Sequence, residues 1–143
     1  MSDNQTKAIV QWAGEDLYIG TSPSGHSVTI DTKGENKSAP SPVELLMIAV
    51  AGCTAVDVVS ILKKKRQRIT AYKAEITGER RDEHPRSFTS MHVHHLVYGD
   101  DVSEQAVTQA IALSDEKYCS VAATVRPTVT ITTSFEIVES EVR

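Results

Sequence analysis

The stretch Ser41-Pro42-Val43-Glu44, running on through Ala49-Val50-Ala51-Gly52-Cys53-Thr54-Ala55 to Lys63-Lys64-Lys65-Arg66, decides how the rest of the chain must fold. Ser41 suits a helix N-cap, and Pro42 suits the first turn, where its missing N–H is no loss. Glu44, three positions after the cap, completes a capping box. The pattern predicts a helix from there to about Arg68, bent at Gly52. Leu45 to Leu62 is almost wholly apolar, but it contains Gly52, Thr54, Asp57 and Ser60 and falls short of the ~20 residues a membrane span needs. A soluble helix buried on most sides is the better reading. The run Lys63 to Arg66 then places cations at the end of the helix dipole that favours them. Such a helix needs apolar partners all round. One sheet covers one side, so a second subunit is expected on the other.

Short strands broken by turns precede the helix. Ala8 to Trp12 is followed by Gly14-Glu15-Asp16, Leu17 to Gly20 by Pro23-Ser24-Gly25, and Ser27 to Asp31 by a polar loop, Thr32 to Pro40, expected to be mobile. After the helix, Ala71 to Arg80 and Phe88 to Tyr98 read as strands joined by the turn Asp82 to Arg86. Met91, Val93 and Val97 share one face of the second strand; His92, His94 and Leu96 share the other. Ser103 caps a second helix, Ser114 starts a third that leads into Cys119, and Thr128 to Val138 alternates as a last strand. The order is strands, long helix, hairpin, two short helices, strand. It predicts an α+β fold in a single domain, residues 1–143.

At 143 residues, with 40% apolar and 24% charged residues, the chain can bury an ordinary core. A net charge of −4 without a basic aromatic stripe speaks against a nucleic-acid partner. The N-terminus MSDNQTKAIV has no apolar signal core, so a cytoplasmic protein that does not enter a membrane is expected. Two cysteines 66 positions apart make no disulfide framework. They are inert core residues or reactive thiols.

Cys53 lies mid-helix among the small residues Ala49, Gly52 and Ala55. A thiol there fills core space well, and the small neighbours allow either close helix packing or a substrate pocket. An active Cys53 needs a cation or a local helix break, because burial raises a thiol pKa. Cys119 follows the helix start Ser114-Asp115-Glu116-Lys117 and could draw thiolate character from its dipole, opposed by the two acids. Brought together, two such thiols can cycle. One attacks the outer oxygen of a peroxide and becomes a sulfenic acid, and the other condenses with it to a disulfide.

Ser41-Pro42-Val43-Glu44-Leu45, with Ala51-Gly52-Cys53 following so that Cys53 stands eleven positions after Pro42, resembles the peroxidatic-cysteine segment of the OsmC/Ohr (osmotically inducible protein C / organic hydroperoxide resistance) family. Ser114 to Val121 resembles the family's second-cysteine segment. Ala55 to Leu62 and Glu116 to Val121 look especially like its YhfA-like branch. The resemblance implies antiparallel sheets around a long central Cys-bearing helix in an intertwined homodimer. It implies reduction of organic hydroperoxides in oxidative-stress defence, with Cys53 peroxidatic, Cys119 resolving and a dithiol such as a dihydrolipoyl group as reductant. No metal or organic cofactor is implied.

The family's peroxidases carry an activating arginine in the N-terminal strands and a glutamate directly after the helix-starting proline. Here no arginine precedes Arg66, the glutamate position is Val43, and Glu44 follows one residue later. Glu44 is therefore a capping residue or a displaced catalytic one. Arg80, Arg81 and Arg86 near the hairpin turn, then Lys33 and His26, are candidates for a replacement cation or ordinary surface charges. Without a cation the alternative is a non-catalytic OsmC-like protein that binds a small molecule. His92 and His94 share a strand face, but no third and fourth ligand accompany them, so they read as sheet-surface histidines.

Overall fold

β1 (Ile9–Trp12), β2 (Leu17–Thr21) and β3 (Ser27–Asp31) form an antiparallel meander in chain order. The computed structural model describes residues 4–139 and divides into two compact units, with the boundary between Leu46 and Met47. In the first unit, the turn after β1 is tight because Gly14 and Glu15 adopt φ of 100° and 49°, and the Trp12 indole N–H donates to the Glu15 carbonyl at 2.9 Å. The polar loop after β3 is closed over one side chain. The Asp31 carboxylate accepts from the Lys33 and Ser38 amides, both at 2.8 Å, and from the Ser38 hydroxyl at 3.0 Å. Those donors, the Ser38 amide foremost, hold its carboxyl below the usual range. This tethering is what the composition of the loop did not reveal.

α1 (Pro42–Lys64) begins in the first unit and continues in the second. The capping box is formed as read: the Ser41 amide donates to Glu44 Oε1 at 2.9 Å, and the Glu44 amide to Ser41 Oγ at 3.3 Å. The helix stops four residues earlier than its charge pattern suggests. Arg66, at φ 59°, occupies the left-handed position usually given to glycine, with the Arg66 amide bonded to Lys63 O and the Gln67 amide to Leu62 O.

The second unit's sheet has the order β4-β5-β6, from β4 (Arg68–Arg80), β5 (Phe88–Asp100) and β6 (Thr130–Glu139). β4 and β5 form the expected antiparallel hairpin. β6 lies parallel to β5, which makes this sheet mixed; the long helical connection between them allows a parallel crossover that a short turn would not. That connection is α2 (Glu104–Leu113), capped by Ser103, then one wide π turn at Ser114–Tyr118, then α3 (Ser120–Val125). Val58 and Leu62 of α1, Val97 of β5, and Val107 and Ala110 of α2 are all fully buried in one cluster. Each valine or leucine so placed is worth roughly 1.5–3 kcal/mol.

The faces of β5 are as the alternation predicts. Met91, Val93 and Val97 are buried together with His95, whereas His92 and His94 hydrogen-bond Thr132 and Ser134 of β6. On α1, Val50, Thr54, Val58 and Leu62 make a buried stripe at fourfold spacing. Ile48 and Val56, on the other side of the helix, are 59% and 70% exposed. The helix is long and apolar enough to cross a bilayer by length and composition, and 22% of its apolar stretch is fully buried.

Candidate functional site

Cys53 and Asp57 are one helical turn apart, at the edge of the buried stripe of α1 rather than on it, so both are half-buried. The wide π turn brings the third group to them. Its closing bond runs from the Cys119 amide to the Ser114 carbonyl at 2.9 Å, and Cys119 then caps α3, its sulfur accepting from the Ala122 amide at 3.4 Å. The Cys53 sulfur, the Cys119 sulfur and an Asp57 carboxylate oxygen all lie within 4.8 Å of one another. Both cysteines are free thiols.

A hydroxyl relay fixes Asp57. The Ser114 hydroxyl, fully buried, donates to Asp57 Oδ2 at 2.8 Å. Its single proton is then spent, so the 3.1 Å contact between Ser114 and Thr54 must have Thr54 as donor. Asp115, the next residue, pairs with Arg126 at the end of α3 and braces the π turn. Beside the Cys119 sulfur is a cavity of about 10 Å³, bounded by Val50, Thr54, Val93 and Asp115 among others. That is room for roughly one water.

The electrostatics separate the two thiols. Cys119 is 4% exposed, and burial, followed by the neighbouring Cys53 and then the Asp57 charge, pushes its pKa up to about 11. The Ala122 amide opposes this and loses. Cys119 therefore gains no net thiolate character from its place at a helix start, contrary to the dipole expectation, because desolvation outweighs one N–H donor.

Glu44 belongs to the other compact unit, where the Lys37 ammonium at 2.7 Å and the Ser41 amide take up its carboxylate and hold its pKa at about 2. The candidate cations are engaged elsewhere. Arg80 Nε donates to the Arg86 carbonyl with its guanidinium over the Phe88 ring, Arg86 donates back to the Arg81 carbonyl, and Arg81 faces Glu83 and the Pro85 carbonyl. His26 bonds Ser24, and Lys33 contributes to the surroundings of Asp31. Asp57, Ser114, Thr54 and the Asp115–Arg126 pair went unread in the sequence. The available signal was Asp57, the one acid in the apolar stretch Leu45 to Leu62, one turn after a cysteine.

The sequence model of the OsmC-like protein family matches residues 34–134. The chain belongs to the OsmC-like family. Protein YhfA of Escherichia coli (strain K12) is 45% identical to this OsmC-like chain over 132 residues, covering 92% of this chain and 98% of YhfA. A hypothetical protein from Aquifex aeolicus VF5, of known crystal structure, is 33% identical with a TM-score of 0.84, covering 96% of this chain and 99% of its own. The organic hydroperoxide resistance protein OhrB of Bacillus subtilis is 16% identical with a TM-score of 0.61, over 92% of this chain and 98% of OhrB. That last likeness is one of fold alone.

Proposed function

We propose that this OsmC-like protein is a thiol-dependent peroxidase of organic hydroperoxides, with Cys53 peroxidatic and Cys119 resolving. The observation that carries the reading is the approach of the two sulfurs to within 4.8 Å, with Cys53 the more exposed. The Cys53 thiolate attacks the outer oxygen of ROOH, the O–O bond breaks, and ROH leaves once its oxygen takes a proton. The resulting sulfenic acid is then attacked by the Cys119 sulfur, which loses its proton as water departs and the disulfide forms. An external dithiol, for which a dihydrolipoyl group is our candidate, exchanges with that disulfide and becomes oxidised in turn. Glu44 is assigned a positioning role, fixing the first turn of α1 through its cap. The name and fold of the hydroperoxide resistance proteins support the substrate class.

We place the protein as a single OsmC-like domain working as a cytoplasmic homodimer. The uncovered apolar face of α1, with Ile48 and Val56, supports a second copy as its cover. The assay is consumption of an alkyl hydroperoxide with a dithiol present. Cys53→Ser is expected to abolish turnover, whereas Cys119→Ser allows one turnover and then over-oxidation, seen as added oxygen by mass spectrometry. Equal turnover by both variants removes the mechanism.

A second reading is a non-catalytic small-molecule-binding protein, favoured by the engagement of Arg80, Arg81 and Arg86 at the hairpin and of Arg126 by Asp115. A co-purified ligand in native mass spectrometry, with Cys53 indifferent to peroxide, decides for it.

A further inference from the structure

Two sulfurs and a carboxylate oxygen converge within 4.8 Å of one another, on a helix turn and a helix cap that are both fixed by hydrogen bonds. The bonds made and broken in the proposed peroxidase cycle involve the two sulfurs and not the carboxylate. We propose that Cys53, Cys119 and Asp57 also form a binding site for a soft divalent metal ion of the zinc class.

The geometry suits it. With zinc–sulfur bonds of about 2.3 Å and tetrahedral angles, the ligand atoms of such a site stand roughly 3.8 Å apart. Closing from at most 4.8 Å takes the two sulfurs together by no more than about 1 Å, and each sulfur–oxygen pair, with its shorter zinc–oxygen bond, by no more than about 1.3 Å, which thiol rotamers and a carboxylate supply. The donor set selects the ion, since two thiolates favour zinc, cadmium or cobalt over magnesium and calcium. The surroundings are those of a held ligand set. Ser114 donates to Asp57 Oδ2 and is itself held by Thr54, so the carboxylate is oriented with lone pairs to spare for a metal, while the Ala122 amide donates to the Cys119 sulfur. Three protein donors leave a fourth position for water.

Binding is balanced as one metal dication exchanged for the two thiol protons, with Asp57 already a carboxylate. No electrons move. The metal and the disulfide are then alternative ways of closing the same thiol pair, so an occupied site shields Cys53 from peroxide and an oxidised pair cannot hold metal. The inference stands on the ligand cluster and not on the peroxidase reading.

The test uses the full-length protein, reduced and metal-free, titrated with cobalt(II) and then zinc. Expected are one cobalt per chain with a thiolate-to-cobalt charge-transfer band and intense tetrahedral d–d bands, bleached by zinc. Cys53→Ser and Asp57→Asn, each checked for folding by circular dichroism, are expected to weaken cobalt binding at least about tenfold. Prior oxidation to the disulfide abolishes it. Absence of the charge-transfer band, or equal affinity in the wild type and Asp57→Asn, overturns the site. A protein that takes cobalt but leaves hydroperoxide untouched refutes the peroxidase alone.

Discussion

The Cys53 and Cys119 sulfurs, 66 positions apart in the chain, lie within 4.8 Å of each other, and only Cys53 has appreciable exposure. This asymmetry orders the chemistry. In the proposed peroxidase cycle a hydroperoxide arriving from solvent meets Cys53 first, while Cys119, whose thiol burial holds protonated, is kept for the second step. The residue that reinforces the asymmetry is Asp57, whose charge adds to burial and to Cys53 in disfavouring a Cys119 thiolate.

Removing that charge is expected to lower the Cys119 pKa from about 11. The fall is modest, because burial and the Cys53 contact contribute more. In a Cys53→Ser background, ultraviolet titration of the thiolate should place the midpoint of Asp57→Asn below that of the unmodified Asp57 chain. An unchanged or higher midpoint refutes the electrostatic role of Asp57.

His95 makes stability depend on pH. It is fully buried, its Nδ1 bonded to the Tyr72 hydroxyl and its Nε2 unpartnered, and desolvation with help from His94 and His92 lowers its pKa to about 4. The unfolded chain, titrating near 6.5, takes up the proton first. The contribution is therefore complete above about pH 6.5 and lost as pH falls from there through 4, amounting to on the order of 3 kcal/mol. Denaturant unfolding of the wild type should lose stability over that window, and a His95→Leu variant should lose measurably less there. Parallel curves count against it.

What was legible in the sequence was whatever local spacing encodes. The capping box at Ser41 and Glu44, the Ser103 cap and the alternating faces of β5 each depend on residues a few positions apart, and each is found as read. The pairing of Cys53 with Cys119 rested on the resemblance of two segments to one family, since no local rule joins positions so distant. Three features escaped. The π turn that aims Cys119 has no composition signal, the left-handed Arg66 gave no glycine to announce the helix end, and the Ser114–Asp57 bond is a long-range fact of packing.

Glu44 offers a clean separation of cap from catalysis. Glu44→Gln keeps the capping box but loses the Lys37 ion pair, whereas Glu44→Ala loses both. If positioning is its role, Glu44→Ala destabilises the protein in denaturant unfolding and Glu44→Gln does so less, with kcat/KM toward hydroperoxide near wild type in Glu44→Gln. A large fall in kcat/KM for Glu44→Gln at intact stability makes Glu44 catalytic instead. The stabilising effect of its charge is present above pH 4.5 and fades as pH drops toward about 2.

Ser114 ties α1 to the π turn, and its contribution is separable by a double-mutant cycle. Ser114→Ala strands both the Thr54 hydroxyl, buried beside it, and Asp57 Oδ2, so a loss of roughly 1–3 kcal/mol is expected. Thr54→Val removes one donor from Ser114, whose hydroxyl keeps its bond to Asp57, and should cost less. In the double variant no hydroxyl is left without its partner along the relay, and two apolar side chains of similar shape fill the space. Its loss should fall short of the sum of the single losses by at least about 0.5 kcal/mol, the lower bound for coupled neighbours. Strict additivity in urea unfolding means that Thr54 and Ser114 act independently, and that Ser114 holds Asp57 without help from Thr54.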